Sequence, residues 1–69
     1  MISTVQKNDI RNLSFDELVN FLEGIGEKPF RADQIFEWIY KKGVESFEKM
    51  ANVPAPLRQK LAETFEFKP

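Results

Sequence analysis

Three breaks decide what this chain can fold into. Gly24 with Gly26, then Gly43, then Pro54 with Pro56 interrupt its apolar patterning, and glycine and proline are where helices stop or restart. Between the breaks, apolar side chains recur at helical spacing, and no segment alternates long enough to demand a sheet. The expectation is an all-α domain of three main helices plus one short helical turn, joined by short connections in an orthogonal or bundle-like array. The closing residues FEFKP alternate aromatic and charged side chains without a stop signal. They read as the beginning of a strand in a longer protein from which this chain is a piece.

The first helix is expected to begin at Ser14, because Ser14 and Glu17 have the S-x-x-E spacing of a capping box. Phe15, Leu18, Val19 and Leu22 then form one apolar face, and Gly24 or Gly26 ends the helix in a left-handed conformation. The second helix starts near Pro29, whose fixed φ suits a first turn. It runs to about Lys42, where Lys41 and Lys42 complement the negative end of the helix dipole, and Gly43 stops it. Ala32, Ile35, Phe36 and Ile39 share an arc of about 100° and form its core face. A turn of helix over Phe47–Met50, capped by Ser46, pins two more apolar residues to the core. The last helix begins at Ala55 or Pro56, with Leu57, Leu61, Ala62 and Phe65 as its apolar stripe.

Composition narrows the function. A chain of 69 residues buries only roughly 60% of its unfolded surface, so seven Phe, one Trp and one Tyr supply the large side chains that its core needs. It has no cysteine and no histidine, which removes disulfides, thiolate nucleophiles, iron–sulfur ligands and the commonest general base. The carboxylates Asp16, Glu17, Glu23, Asp33, Glu37, Glu45 and Glu48 fall on solvent faces or caps, where they have little acid–base power. Gly24 and Gly26 give only G-x-G, after a helix rather than a strand, so there is no phosphate loop. Catalysis within this chain is not expected. No apolar run is long enough to span a bilayer and the N-terminus lacks the apolar centre of a secretory signal, so a cytoplasmic, non-membrane setting is expected.

The net charge of −1 argues against bulk attraction to nucleic acid, but the charge is uneven. Residues 1–27 carry −3 and residues 28–42 carry +2. Within that basic stretch, Arg31, Gln34, Trp38 and Lys42 lie in an arc of about 80° bordering the core face. Guanidinium, amide, indole and ammonium groups are those that hold phosphates, bond base edges and stack on unpaired bases. Lys28 stands at the helix start, where free N–H groups favour an anion. The plainer reading stands beside this one: a lone Trp is core filler more often than a stacking platform, and lysines at a helix C-terminus are ordinary dipole partners.

The run GEKPFRADQIFEWIYKKGVESFEKM, followed by NVPAPLRQKLAE, closely resembles the N-terminal accessory domain of the RlmN/Cfr family of radical-SAM RNA adenine C2 methyltransferases. Arg31, Gln34, Trp38 and Tyr40 in FRADQIFEWIY are its most specific part, with Phe47, Met50 and the L-R-x-x-L of Leu57, Arg58 and Leu61. The resemblance implies a helix-hairpin-helix-like accessory domain over residues 13–65, preceded by a flexible segment 1–12 and followed by 66–69 as the start of a linker to a catalytic barrel. It implies Lys28, Arg31, Gln34, Trp38, Lys41, Lys42 and Arg58 as contacts to ribosomal RNA, or to transfer RNA in some members. The 4Fe–4S cluster and S-adenosylmethionine are implied for the barrel of the parent protein, not for this chain, and a monomer is expected. Ala51 and Pro56 depart from the family pattern near the last helix.

Two readings compete. In one the domain touches RNA; in the other it is a structural module that docks on the barrel through Trp38 and Phe30. Phe30 discriminates, since it falls on the polar side of its helix: folded back on Ile25 or the first helix it is a staple, and exposed it marks a partner surface. A helix-turn-helix DNA reader is disfavoured by the acidic first 27 residues and the lack of a strongly basic recognition helix.

Overall fold

The computed structural model describes residues 7–68. Helix α1 (Phe15–Gly24) starts at the expected capping box. The Ser14 hydroxyl accepts from the Glu17 N–H at 3.1 Å and the Glu17 carboxylate accepts from the Ser14 N–H at 2.8 Å. At its other end Gly26, at φ +81°, makes the left-handed turn, while Gly24 is still helical. The Glu27 N–H bonds the Leu22 carbonyl at 2.8 Å and the Gly26 N–H bonds the Glu23 carbonyl at 3.1 Å, the pair of bonds that closes a Schellman stop.

Helix α2 (Phe30–Phe36) follows Pro29 but does not continue as a regular helix to Lys42. It widens into one π-helical turn over Glu37–Lys41, with the Lys42 N–H bonding the Glu37 carbonyl at 3.0 Å. Gly43, at φ +64°, ends it, and the Val44 N–H reaches back to the Trp38 carbonyl at 3.1 Å. Apolar spacing cannot reveal the widening, because Ala32, Ile35 and Ile39 are buried either way. The Phe36 ring meets Phe15 and Tyr40 edge-on at 5.2 and 5.0 Å, which ties the widened turn to α1.

A three-ten turn (Phe47–Lys49) capped by Ser46 buries Phe47 and Met50. Helix α3 (Ala55–Thr64) then starts from Pro54 with Pro56 in its first turn. Leu57 and Leu61 are its buried residues; Phe65, expected on the same stripe, is buried just past the helix end in extended backbone, and Ala62 is exposed, one position round from Leu61 and off the core side. The three helices enclose one core in which Leu18, Leu22, Ile35, Met50, Leu57 and Leu61 are almost fully buried. The all-α class therefore holds.

The two ends add something the periodicity does not show. Strand β1 (Asn8–Asp9) pairs in parallel with β2 (Phe65–Glu66), Asn8 opposite Phe65 and Asp9 opposite Glu66. Residues 8–12, which the sequence reads as flexible, thus belong to the fold: Ile10 is 1% exposed and begins a three-ten turn, Ile10–Asn12. Residues 66 and 67 likewise belong to the fold rather than to a linker, since Glu66 completes the ladder and Phe67 packs on Phe47 at 4.8 Å. Residues 1–6 and Pro69 lie outside the described residues.

A charged knot closes this ladder. The Asp9 carboxylate accepts from the Arg11 backbone N–H at 2.8 Å, from its guanidinium at 2.7–3.2 Å, and from the Lys68 N–H at 3.1 Å. Arg11 also donates to the Lys68 carbonyl and stacks on Phe67 at 5.6 Å. Hydrogen bonds from the Arg11 side chain, aided by the two backbone N–H groups, hold the Asp9 carboxyl well below the usual carboxylate range, and partial burial opposes them. The Tyr40 hydroxyl donates to the Arg11 carbonyl at 2.8 Å, so the π turn is fastened to the same knot.

Candidate nucleic-acid interface

The predicted row on α2 is present, but its members differ in how free they are. Arg31 is half-buried: one terminal nitrogen donates to the Gln34 side-chain carbonyl at 2.8 Å and lies 3.5 Å from the Asn52 carbonyl, while Nε stands 3.7 Å from the Glu27 carboxylate. Its guanidinium also lies over the Phe30 ring at 4.7 Å. The Trp38 indole N–H donates to the Asn52 side-chain oxygen at 2.6 Å. Arg31, Gln34 and Trp38 are thus joined through Asn52 in one network that ties α2 to the loop before α3, while the buried Arg31 Nε has no hydrogen-bond partner within it.

All three lysines predicted as contacts, Lys28, Lys41 and Lys42, are exposed. Among the described residues none of them forms an ion pair. The Lys42 ammonium rests over the Trp38 ring at 5.1 Å from its centroid. Lys41 lies elsewhere, on a shallow groove with Phe15, Asp33, Phe36, Glu37 and Tyr40. Arg58 is separate again: it projects from α3 and donates to the Glu48 carbonyl at 3.0 Å, bracing the three-ten turn. The structure therefore gathers Arg31, Gln34, Trp38 and Lys42 around Asn52 and leaves Lys41 and Arg58 outside that cluster.

Sequence reasoning missed Asn52. Only its short side-chain amide in a connection, within reach of an indole N–H, marks it, and periodicity says nothing about loop residues. Phe30 remains 48% exposed rather than folding back as a staple. Tyr40 packs its ring against Phe36, with 55% of the residue exposed.

No described helix is long and apolar enough to cross a membrane, and among the described residues no three His, Cys, Asp or Glu side chains gather as metal ligands. An iron–sulfur cluster is held by cysteine thiolates. With no cysteine in the sequence, this chain has no donor set for one.

The chain is similar to known proteins over nearly all its described length. Residues 8–67 match the family model described as the ribosomal RNA large subunit methyltransferase N-terminal domain. A probable dual-specificity RNA methyltransferase RlmN from Bacillus licheniformis is 52% identical over 60 residues, which is 87% of this chain and 17% of that protein. The corresponding protein of Lachnospira eligens is 48% identical over 59 residues, 86% of this chain and 17% of that one. A crystal structure of a radical SAM methyltransferase from Sphaerobacter thermophilus superposes with a TM-score of 0.84 at 31% identity, over 90% of this chain and 18% of that one. This chain thus spans about a sixth of the length of these relatives. On that match and those identities, the chain belongs to the family of N-terminal domains of RlmN-type radical SAM methyltransferases.

Proposed function

We propose that this domain positions RNA for the adenine C2 methyltransferase of which it is the N-terminal part, and performs no chemistry itself. Lys28 and Lys42 contact phosphates; Arg31, Gln34, Trp38 and Asn52 hold the surface on which Lys42 stands. The RNA is ribosomal, with transfer RNA as a second substrate. The observation that carries this reading is the exposed Lys42 ammonium, without an ion pair among the described residues, on a fixed polar network. The methyl transfer, with its 4Fe–4S cluster and S-adenosylmethionine, belongs to the catalytic barrel of the parent protein.

The test is a titration of the chain with a ribosomal RNA hairpin at several salt concentrations. Two phosphate contacts on a single strand give weak binding that falls by about sevenfold from about 50 to about 200 mM salt. Lys28→Ala and Lys42→Ala each flatten that dependence. Absence of binding at low salt refutes the reading.

The exposed Phe30 supports a second role, docking on the barrel. Under it, Phe30→Ser leaves RNA binding by this chain unchanged and weakens its association with a separately supplied catalytic barrel.

A further inference from the structure

We infer that Trp38 is the seat of the Lys42 ammonium rather than a platform for a base, that Asn52 is the residue positioning this seat, and that the unit forms a phosphate subsite. The inference rests on the RNA-positioning reading and assigns that role to named atoms. Three contacts carry it. The indole N–H is bound to the Asn52 side-chain oxygen at 2.6 Å, which fixes the plane of the ring. The Lys42 ammonium lies 5.1 Å from the ring centroid, inside the roughly 6 Å range of a cation–π contact. The Lys42 backbone is fixed as well, since its N–H is bound to the Glu37 carbonyl at 3.0 Å and Gly43 turns the chain immediately after it.

A ring face covered by an ammonium group is not open to a base. The ammonium itself keeps its charge and its donors: Lys42 is exposed and forms no ion pair among the described residues. A phosphate oxygen is the partner such a group takes. A free lysine loses rotamer freedom when it binds, and a seated one has already lost part of it. Asn52 is itself anchored, because its carbonyl lies 3.5 Å from the Arg31 nitrogen that donates to Gln34. The seat is therefore built from α2, its π turn and the loop before α3 together.

The experiment is a double-mutant cycle read by RNA affinity and by the emission of Trp38, the sole tryptophan. The probe is an RNA hairpin with an unpaired adenine in its loop, and melting by circular dichroism checks that each variant folds. Lys42→Ala weakens binding and lowers the slope of log affinity against log salt by about 0.7. Asn52→Ala weakens binding by about threefold with the slope unchanged, because the charge remains while its preorganisation is lost. In the Lys42→Ala background the same change has no further effect. Trp38→Phe keeps a ring face for the ammonium, retains most of the affinity and makes Asn52→Ala silent. Without RNA, Lys42→Ala and Asn52→Ala each shift Trp38 emission.

Additive losses from Asn52→Ala and Lys42→Ala overturn the inference, as does Trp38 emission that ignores Lys42→Ala. If the wild-type chain binds no RNA at low salt, the RNA-positioning reading falls instead, and the emission arm still judges the seat.

Discussion

Replacing Ile10 with alanine tests whether the N-terminal residues are part of the domain's core. Ile10 is 1% exposed and belongs to the same buried cluster as Leu18, Leu22 and Leu61. The substitution deletes roughly three methylene equivalents at about 0.8 kcal/mol each, and the cavity left behind brings the loss to about 3 kcal/mol. A domain of 69 residues has a total stability of only about 3–10 kcal/mol. For its size, each kcal/mol moves the melting temperature by about 4–8 °C, so Ile10→Ala lowers Tm by about 12–24 °C. Thermal unfolding followed by circular dichroism reads this directly, with Asn12→Ala, an exposed neighbour, as control. A drop in Tm of less than about 4 °C, equivalent to under 1 kcal/mol, refutes the reasoning and leaves residues 8–12 as an appendage.

Two further outcomes follow from local features. The folded Asp9 carboxyl titrates below its ordinary value, so its contribution to stability is complete above the unfolded pKa of about 3.9 and is lost as pH falls below it. Tm of the wild type therefore drops more steeply on acidification below about pH 4 than that of Asp9→Asn, which is the less stable of the two at neutral pH; parallel pH profiles in a thermal scan refute this. Gly26→Ala forces a β-carbon into φ +81° at a cost of about 1–2 kcal/mol, although no atom crowds the position. A Tm lowered by about 4–16 °C in a thermal scan checks it, and an unchanged Tm shows that the turn relaxes.

The helical part of the fold was legible because its signals are local. Ser14 and Glu17 are three residues apart and bond each other, and Leu18, Leu22, Ala32, Ile35 and Ile39 are buried where spacing puts them, whereas Phe15, expected on the same face of α1, is 38% exposed. The ladder was not legible, since strands of two residues carry no period and their partners are separated by nearly the whole chain. The π turn escaped for a related reason: Ile35 and Ile39 satisfy a regular and a widened helix equally well. At the candidate site, residue types and their side of the helix could be read, but not their hydrogen bonds. Gln34 and Trp38 look free in a helical projection, but Gln34 accepts from Arg31 on its own helix and the Trp38 N–H is taken by Asn52 from another segment.

The pairing of Asp9 with Glu66 and Lys68 also bears on the order in which the molecule assembles. The capped first helix and its glycine stop are complete as soon as residue 27 has been made, and they can form early. Asp9 and Ile10 must wait for almost the entire remaining sequence before their neighbours exist. Closing so distant a contact carries the entropic penalty of a large loop, which places this closure late in folding. During synthesis the domain reaches its finished form only once residue 68 has cleared the exit tunnel.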